Sequence, residues 1–350
     1  MTSVPSLRVD YLSLDQLADF HAAGWRDVLG VVDYDRATTI ALDAVPSAHL
    51  AFEALPVTPV GAAPPFEVWR ASGSLRSGTH GRVRYRTANG LLFGGLSIEE
   101  IAVAGDSDAN APLRRAVLDA YGEMFACLAA FGLQKPLRIW NYLADINRVD
   151  DGIERYRVFN EARQQAFREA GHGVRLDVPA ACALGAPAGQ PLMIYFIGCA
   201  EDSGVAIENP RQISAYDYPP QYGVFRPSFA RATLANGRAG RMLFISGTAS
   251  IVGHRSLHPG DVAAQTRETM ENVATVVAEA NRVAGKPLYD LRQLLYKAYV
   301  RDPGDQGVVA AALQQYVQPA HPVLYLQADI CRAELLVEIE AVGQPVEAAA

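Results

Sequence analysis

Cysteine is scarce in this chain: the four in 350 residues, Cys127, Cys182, Cys199 and Cys331, lack the close paired spacing of a zinc site or a disulfide framework. A reducing cytosol is the expected compartment. Basic residues are also in short supply, with Lys and Arg totalling 31 against 38 Asp and Glu, a formal charge of −7. Without a basic field or a Lys/Arg cluster, nucleic acid is not an expected partner. No apolar run is long: Pro191 to Ala200 is of strand length, well short of the ~20 residues that cross a bilayer. Met1 to Asp10 has neither the basic start nor the apolar centre of an export signal, so neither membrane nor secretion is expected. Phosphate-cradling glycine loops, dinucleotide fingerprints and the nucleophile elbow are missing too. His254 and His258 have helical spacing, but Gly253, Pro259 and Gly260 flank them and no third ligand stands near, so a polar loop is expected and no metal.

Half of the residues are hydrophobic, enough for a substantial core, and the length suits two average domains. The order of elements repeats. In the later copy, Arg241 to Ser250 is a buried strand, and Asp261 caps a helix with apolar positions from Val262 through Val273, Val276, Val277 and Ala280 to Asn281. A β segment at Leu294 to Val300 and a short helix around Val308 to Tyr316 follow. In the earlier copy, the strand Gly90 to Ser97 precedes a helix at Leu113 to Phe131, the strand Leu137 to Leu143, and a helix at Ile153 to Ala170. Strands near Ala180 to Leu184 and Pro191 to Gly198 close it. Pairing Phe93 with Phe244, Tyr142 with Tyr299 and Leu192 with Leu336 gives offsets of 151, 157 and 144, consistent with tandem duplication. The expected fold is α+β, two sheets each covered by helices. The expected divisions are residues 1–205, a connector 206–233, residues 234–343 and a disordered tail 344–350.

Val323 to Val342 alternates up to Cys331, breaks at Arg332 to Glu334 and resumes at Leu335, the pattern of a tight hairpin. Such a hairpin would set Cys331 and Glu338 roughly 10 Å apart, about the length of a small ring acid. The connector holds Arg211, Tyr216, Tyr218, Tyr222, Phe225, Arg226, Phe229 and Arg231, while its prolines prevent a helix. Aromatic faces and guanidinium forks suit a ring bearing carboxylates, although a structured linker with surface arginines reads equally well.

Several runs carry a family resemblance. Phe244 to Gly247, Gly260 to Thr266, Glu271-Asn272, Tyr299 to Asp302 and Val337 to Glu340 make the later copy similar to the Rid (YjgF) family, whose fold is shared with a trimeric chorismate mutase type. Trp140 to Asn147, Tyr156 to Phe159 with Arg163 beyond, Ile207 to Gln212, Tyr218 to Gly223, Phe229 to Thr233, Ser246 to Thr248 with Gly253-His254, and Cys331 to Glu340 together resemble the chorismatases. That likeness runs from about Val31 to Val342. It implies cleavage of the enolpyruvyl ether of chorismate, with the catalytic acid mapping onto Glu338.

Gly247 and Cys331 map onto two positions that separate subgroups. Both are alanine in the hydrolytic subgroup, which makes a dihydrodiol; the pair here resembles subgroups that release an aromatic hydroxybenzoate. Val158, Asn160, Ala162, Val224-Phe225 and Ala183-Leu184-Gly185 depart from the commoner pattern, as in a divergent subgroup yielding mixed 3- and 4-hydroxybenzoate. The resemblance assigns substrate carboxylates to Arg163, Arg231, Tyr156 and Tyr222, with Cys331 shaping the pocket rather than attacking as a thiolate. It calls for no cofactor. A Rid-like alternative has Arg332 holding a 2-imino acid and Glu338 purely structural. Two copies in one chain can replace a subunit interface, so a monomer or weak homodimer is expected.

Overall fold

The computed structural model describes residues 7–22, 25–34, 51–54, 57–61, 64, 66–176, 178–200, 204–237, 239–318 and 321–345. The expected tail therefore lies, beyond its first two residues, outside the described residues. The chain opens with β1 (Arg8–Leu12), α1 (Leu14–Ala22), β2 (Val28–Asp33), β3 (Ala51–Ala54), β4 (Thr58–Pro59) and β5 (Phe66–Arg70). Strands β1, β5, β2 and β3 make a four-stranded sheet in that order. The sequence reading did not separate this sheet from the first copy.

Next come β6 (Arg76–His80), β7 (Val83–Ala88), β8 (Leu91–Ile98), α2 (Ala111–Ala130) and β9 (Pro136–Ala144). A small hairpin, β10 (Val149–Asp150) and β11 (Ile153–Glu154), leads into α3 (Arg155–Glu169), β12 (Ala180–Ala186) and β13 (Leu192–Cys199). The second half has β14 (Val205–Ile207), β15 (Ala232–Leu234), β16 (Leu243–Ala249), the hairpin β17 (Ile251–Val252) and β18 (Arg255–Ser256), and α4 (Val262–Ala284). It ends with β19 (Leu295–Val300), α5 (Gln306–Leu313), β20 (Val323–Gln327) and β21 (Val337–Gly343). Helix α4 starts where expected, the Asp261 side chain accepting a 2.8 Å bond from the Ala264 amide, and stops at Gly285, whose φ of 72° is left-handed.

The expected repeat is visible in the strand orders. One sheet runs β12-β9-β13-β8-β7-β6; the other, read from β20, runs β20-β19-β21-β16-β15-β14. Each has a parallel pair at one end, β12 on β9 and β20 on β19, and antiparallel neighbours elsewhere. Register corrects one equivalence. Met193 faces Tyr142 as Glu338 faces Tyr299, which makes Met193 the counterpart of Glu338 and Leu192 that of Val337 rather than of Leu336. The expected closing hairpin is also corrected. Strands β20 and β21 do not pair; β19 lies between them, parallel to one and antiparallel to the other, and Cys331 sits in the irregular connection. Period-two alternation reports which face a side chain takes, not which strand lies alongside.

Helices α2 and α3 bury one face of the first repeat sheet, and α4 and α5 one face of the second. The other faces meet each other and the N-terminal four-stranded sheet in a shared core containing Trp69, Trp140, Tyr195 and Phe244. There Trp140 stacks on Tyr195 at 4.4 Å between ring centroids, and the Tyr142 and Tyr299 hydroxyls bond at 2.7 Å. Aromatic pairs of this kind add about 0.5–1.5 kcal/mol each beyond their buried area. The same junction buries four charges. Lys297 Nζ lies 2.5 Å from Glu67 Oε2 and 2.7 Å from Glu340 Oε1, while Arg138 Nη2 is 2.5 Å from Glu340 Oε2. Removing one partner from such a buried cluster costs about 3–5 kcal/mol. Strand β4 pairs with the outer edge of β20, so the N-terminal segment also seals an end of the second repeat sheet.

Candidate active site

The edge strand β12 of the first repeat sheet approaches β16 of the second. Its Ala180 and Ala181 amides donate to Thr233 Oγ1 and Ser246 Oγ at 2.8 and 3.0 Å. At that seam β16 carries a bulge: Ile245 faces Ala341, but Thr248 faces Ile339, leaving one extra residue across Ser246 and Gly247. Bulges re-aim side chains next to functional sites. Here the bulge brings Gly247 against Glu338 of β21 so closely that a β-carbon on Gly247 would lie 1.9 Å from Glu338 Oε1. A side chain on Gly247 would push the Glu338 carboxyl aside.

A cleft of about 790 Å³, including its open mouth, lies over the seam. It gathers all seven residues assigned to a site from the sequence: Glu338, Cys331, Gly247, Tyr156, Arg163, Tyr222 and Arg231. Helix α3 supplies Tyr156 and Arg163 two turns apart, on one face. The connector supplies Tyr222 and Arg231, joined by Tyr218 and Phe229.

Glu338 is 4% exposed. Burial, with Glu340 adding to it and Arg138 and Arg231 opposing, pushes its carboxyl up to about 8. The side chain is therefore an uncharged acid near neutrality. Val337, Ile339 and Ala341 point to the helix-covered core, so Glu338 and Glu340 share the opposite face of β21, as their alternation requires. That face is buried too, where an unpartnered strand would have met water. Glu340 behaves oppositely to its neighbour. Burial again works to raise it, but Lys297 and Arg138 hold its carboxyl below the ordinary range.

Of the four arginines lining the cleft, Arg157 pairs with Glu154 at 3.7 Å, and the other three have nitrogens to spare. Arg163 donates to the Ser228 carbonyl, and Arg231 donates to the Ile213 carbonyl and the Tyr218 hydroxyl at 2.9 Å each. Arg332 donates to the His254 carbonyl at 2.9 Å and Ser256 Oγ at 3.0 Å. These acceptors are neutral. One buried nitrogen of each group, Nε of Arg163, Nε of Arg231 and Nη2 of Arg332, has no partner. Buried guanidinium donors without acceptors are equipped to receive an anion.

Tyr222 differs from its expected part. Its hydroxyl donates to the His254 carbonyl at 2.7 Å, and its ring carries the Arg332 guanidinium 4.1 Å above the centroid. It therefore presents a ring, and the charge above it belongs to Arg332. Burial pushes the Cys331 thiol up to about 12, reinforced by Glu338, so it stays protonated and is no thiolate. Cys182 of β12, which the sequence reading passed over, lies opposite the bulge, with its Cβ 3.0 Å from where a Gly247 β-carbon would stand. Glu154 lines the mouth. Neither had a motif or periodic signal; only the meeting of β12 with β16 exposes them. His254 bonds Tyr222 while His258 approaches Glu268 at 3.5 Å, so the two histidines face different partners.

Residues 67–198 match the family described as chorismatase FkbO/Hyg5-like, N-terminal. A 3-hydroxybenzoate synthase of Streptomyces hygroscopicus is 35% identical over 331 residues, 91% of this chain and 92% of the relative. A chorismatase of Streptomyces rapamycinicus is 35% identical over 79% of this chain and 81% of its own length. A chorismatase crystal structure superposes with a TM-score of 0.79 at 29% identity, covering 97% of this chain and 98% of the other. Likeness over nearly the whole length, together with a cleft built around a buried acid and three arginines, makes this chain a member of the chorismatase family.

Proposed function

We propose that the chain is an enzyme that cleaves the enolpyruvyl ether of chorismate to pyruvate and 3-hydroxybenzoate, with 4-hydroxybenzoate as a second product. The observation that carries this reading is the neutral Glu338 carboxyl, raised to about 8, beneath three arginines with open donors. Chorismate carries two carboxylates and a vinyl ether whose terminal carbon must gain a proton before the ether breaks. A carboxylic acid still protonated near pH 7 is the group for that step. Glu338 protonates the methylene carbon, and Arg163, Arg231 and Arg332 hold the carboxylates.

The resulting oxocarbenium ion meets either water or the ring's own neighbouring hydroxyl. With the hydroxyl, the ether oxygen leaves with the pyruvoyl carbon, an arene oxide forms, and loss of a ring proton gives the aromatic acid. Chorismate and the pair of products then contain the same atoms, and no water is consumed. Gly247 leaves the acid in place, and the neutral Cys331 thiol occupies space near the cation that water would otherwise take. The relative named 3-hydroxybenzoate synthase, similar over nine tenths of this chain, supports the aromatic outcome.

Incubation with chorismate, with pyruvate followed continuously and the ring products separated by chromatography, tests the proposal. Pyruvate with hydroxybenzoate is expected; a dihydrodiol as sole ring product would overturn the intramolecular course. No pyruvate at all, with ammonia released from a 2-imino acid, would favour the Rid-like alternative in which Arg332 is the carboxylate anchor. The division at residues 206–233 fits this reading, since that connector carries Tyr218, Tyr222, Phe229 and Arg231 into the cleft. We propose a monomer or weak dimer located in the cytoplasm, as the second sheet needed for the cleft is supplied in cis. Among the described residues no helix is long and apolar enough to cross a membrane.

A further inference from the structure

We propose that Glu340 is a positioning residue for this reaction, a fixed negative charge that acts on the substrate only through Glu338. The inference rests on the chorismate-cleaving role of Glu338 proposed above. Glu338 and Glu340 are alternate residues on one face of β21, roughly 6.6 Å apart along the strand. Across the next strand their register partners are Tyr299 and Lys297. Glu340 accepts from Trp140 Nε1 at 2.8 Å and sits between Lys297 at 2.7 Å and Arg138 at 2.5 Å. Donors of this number fix a carboxylate in its ionised form.

Lys297 does not simply cancel that charge, because it is shared. Its ammonium also touches Glu67 of β5 at 2.5 Å, and Glu67 is in turn held by Trp69 Nε1 at 2.6 Å and the Tyr34 hydroxyl at 2.9 Å. The N-terminal sheet thus takes up part of the Lys297 charge and leaves Glu340 with negative character. The groups facing Glu338 come from every element around it: Arg138 of β9, Tyr299 of β19, Arg231 ahead of β15, Cys182 of β12, Tyr156 of α3, and Cys331 of the last connection. Burial keeps the two thiols and the two tyrosines neutral. The charges that remain are two cations, Arg138 and Arg231, and one anion, Glu340. Without Glu340, Arg138 would lose its counter-ion, and both guanidinium groups would draw the proton off Glu338.

The test compares wild type with Glu340→Gln, Glu340→Asp and Arg138→Gln, using two readouts. One is the pH profile of pyruvate release; the other is an infrared titration of the protonated carboxyl band, assigned by its loss in Glu338→Gln. Glu340→Gln is expected to move both midpoints down by about one unit or more, the size of a single charge's influence at such range. At pH 8 its rate should fall about fivefold or more, while at pH 6 it recovers towards wild type. Arg138→Gln should move the midpoints upward, and Glu340→Asp should keep them near wild type. Midpoints unmoved in both Gln variants, or rates lowered by one factor at every pH, would overturn the proposal. Should Glu340→Gln fail to fold, the upward shift in Arg138→Gln decides. If no form cleaves chorismate, the functional reading fails while the infrared titration still judges the coupling.

Discussion

Gly247 and Glu338 touch without any side chain between them: the backbone bulge of β16 lies against the carboxyl of β21 where even a methyl group would stand 1.9 Å from Oε1. An ordinary carbon–oxygen contact is about 3.4 Å, so any residue larger than glycine displaces the acid by more than an ångström. Gly247→Ala is therefore expected to fold and yet lose about 10²-fold in kcat/KM, the usual cost of misplacing a catalytic group by that distance. Pyruvate release measures it, and chromatography should show the diol share rising as the cleft admits water. A rate within twofold of wild type would show that the acid's position is not the constraint.

Glu338 sets a pH limit on both activity and stability. In the proposed mechanism its acid form is the active one, so kcat/KM should decline as pH rises through about 8. The raised value also means that the folded state binds a proton more tightly than the unfolded chain, whose Glu titrates near about 4.3. Below that value the group costs no stability, and between it and about 8 stability falls as pH rises. Glu338→Gln should consequently melt at a higher temperature than wild type at pH 8, by roughly 2–4 kcal/mol of stability, and at the same temperature near pH 4.5. Calorimetry at both pH values checks this, and turnover in the same variant should be reduced at least 10²-fold.

Among the described residues, Arg163 and Arg231 are buried with no carboxylate at hydrogen-bond distance. Replacing either with Met should weaken chorismate binding by about 1.5–3 kcal/mol, or about 10- to 150-fold in kcat/KM, with little loss of thermal stability. Steady-state kinetics against chorismate and a melting curve separate the two effects. A large drop in melting temperature with unchanged KM would make the arginine structural.

Cys331 should behave as a shaped neutral wall. Its thiol, raised to about 12, ought to resist alkylation by iodoacetamide at pH 8, and Cys331→Ala should retain pyruvate release within about tenfold while the ring products shift towards the diol. In wild type run in ¹⁸O-water, with pyruvate trapped at once by reduction to lactate, the lactate hydroxyl should carry no label. Label in that oxygen would show that water adds to the cation and completes the reaction in place of the ring hydroxyl.

The parts of this molecule legible in sequence are those whose cause is local. Asp261 opens α4, and an unbroken apolar run marks β13, a strand covered on both faces. Order within a sheet is not local, which is why the alternation around Cys331 and Glu338 looked like a hairpin although β19 separates the strands. The short strands of the N-terminal sheet carry no repeat, and they escaped notice for that reason. For the cleft, resemblance placed the acid and two arginines, whereas the surroundings that make Glu338 an acid lie far off in the chain. Arg138 stands 202 residues from Glu340, and no spacing rule reaches so far.

The counterpart of Glu338 in the first repeat is Met193, a residue without a proton to give, packed in the shared core. On the proposed mechanism only one of the two equivalent positions carries an acid, and the half with Met193 serves as the wall against which the other half is assembled. Each polypeptide should accordingly hold one equivalent of tightly bound substrate mimic, and its turnover should show no cooperativity between halves that look alike.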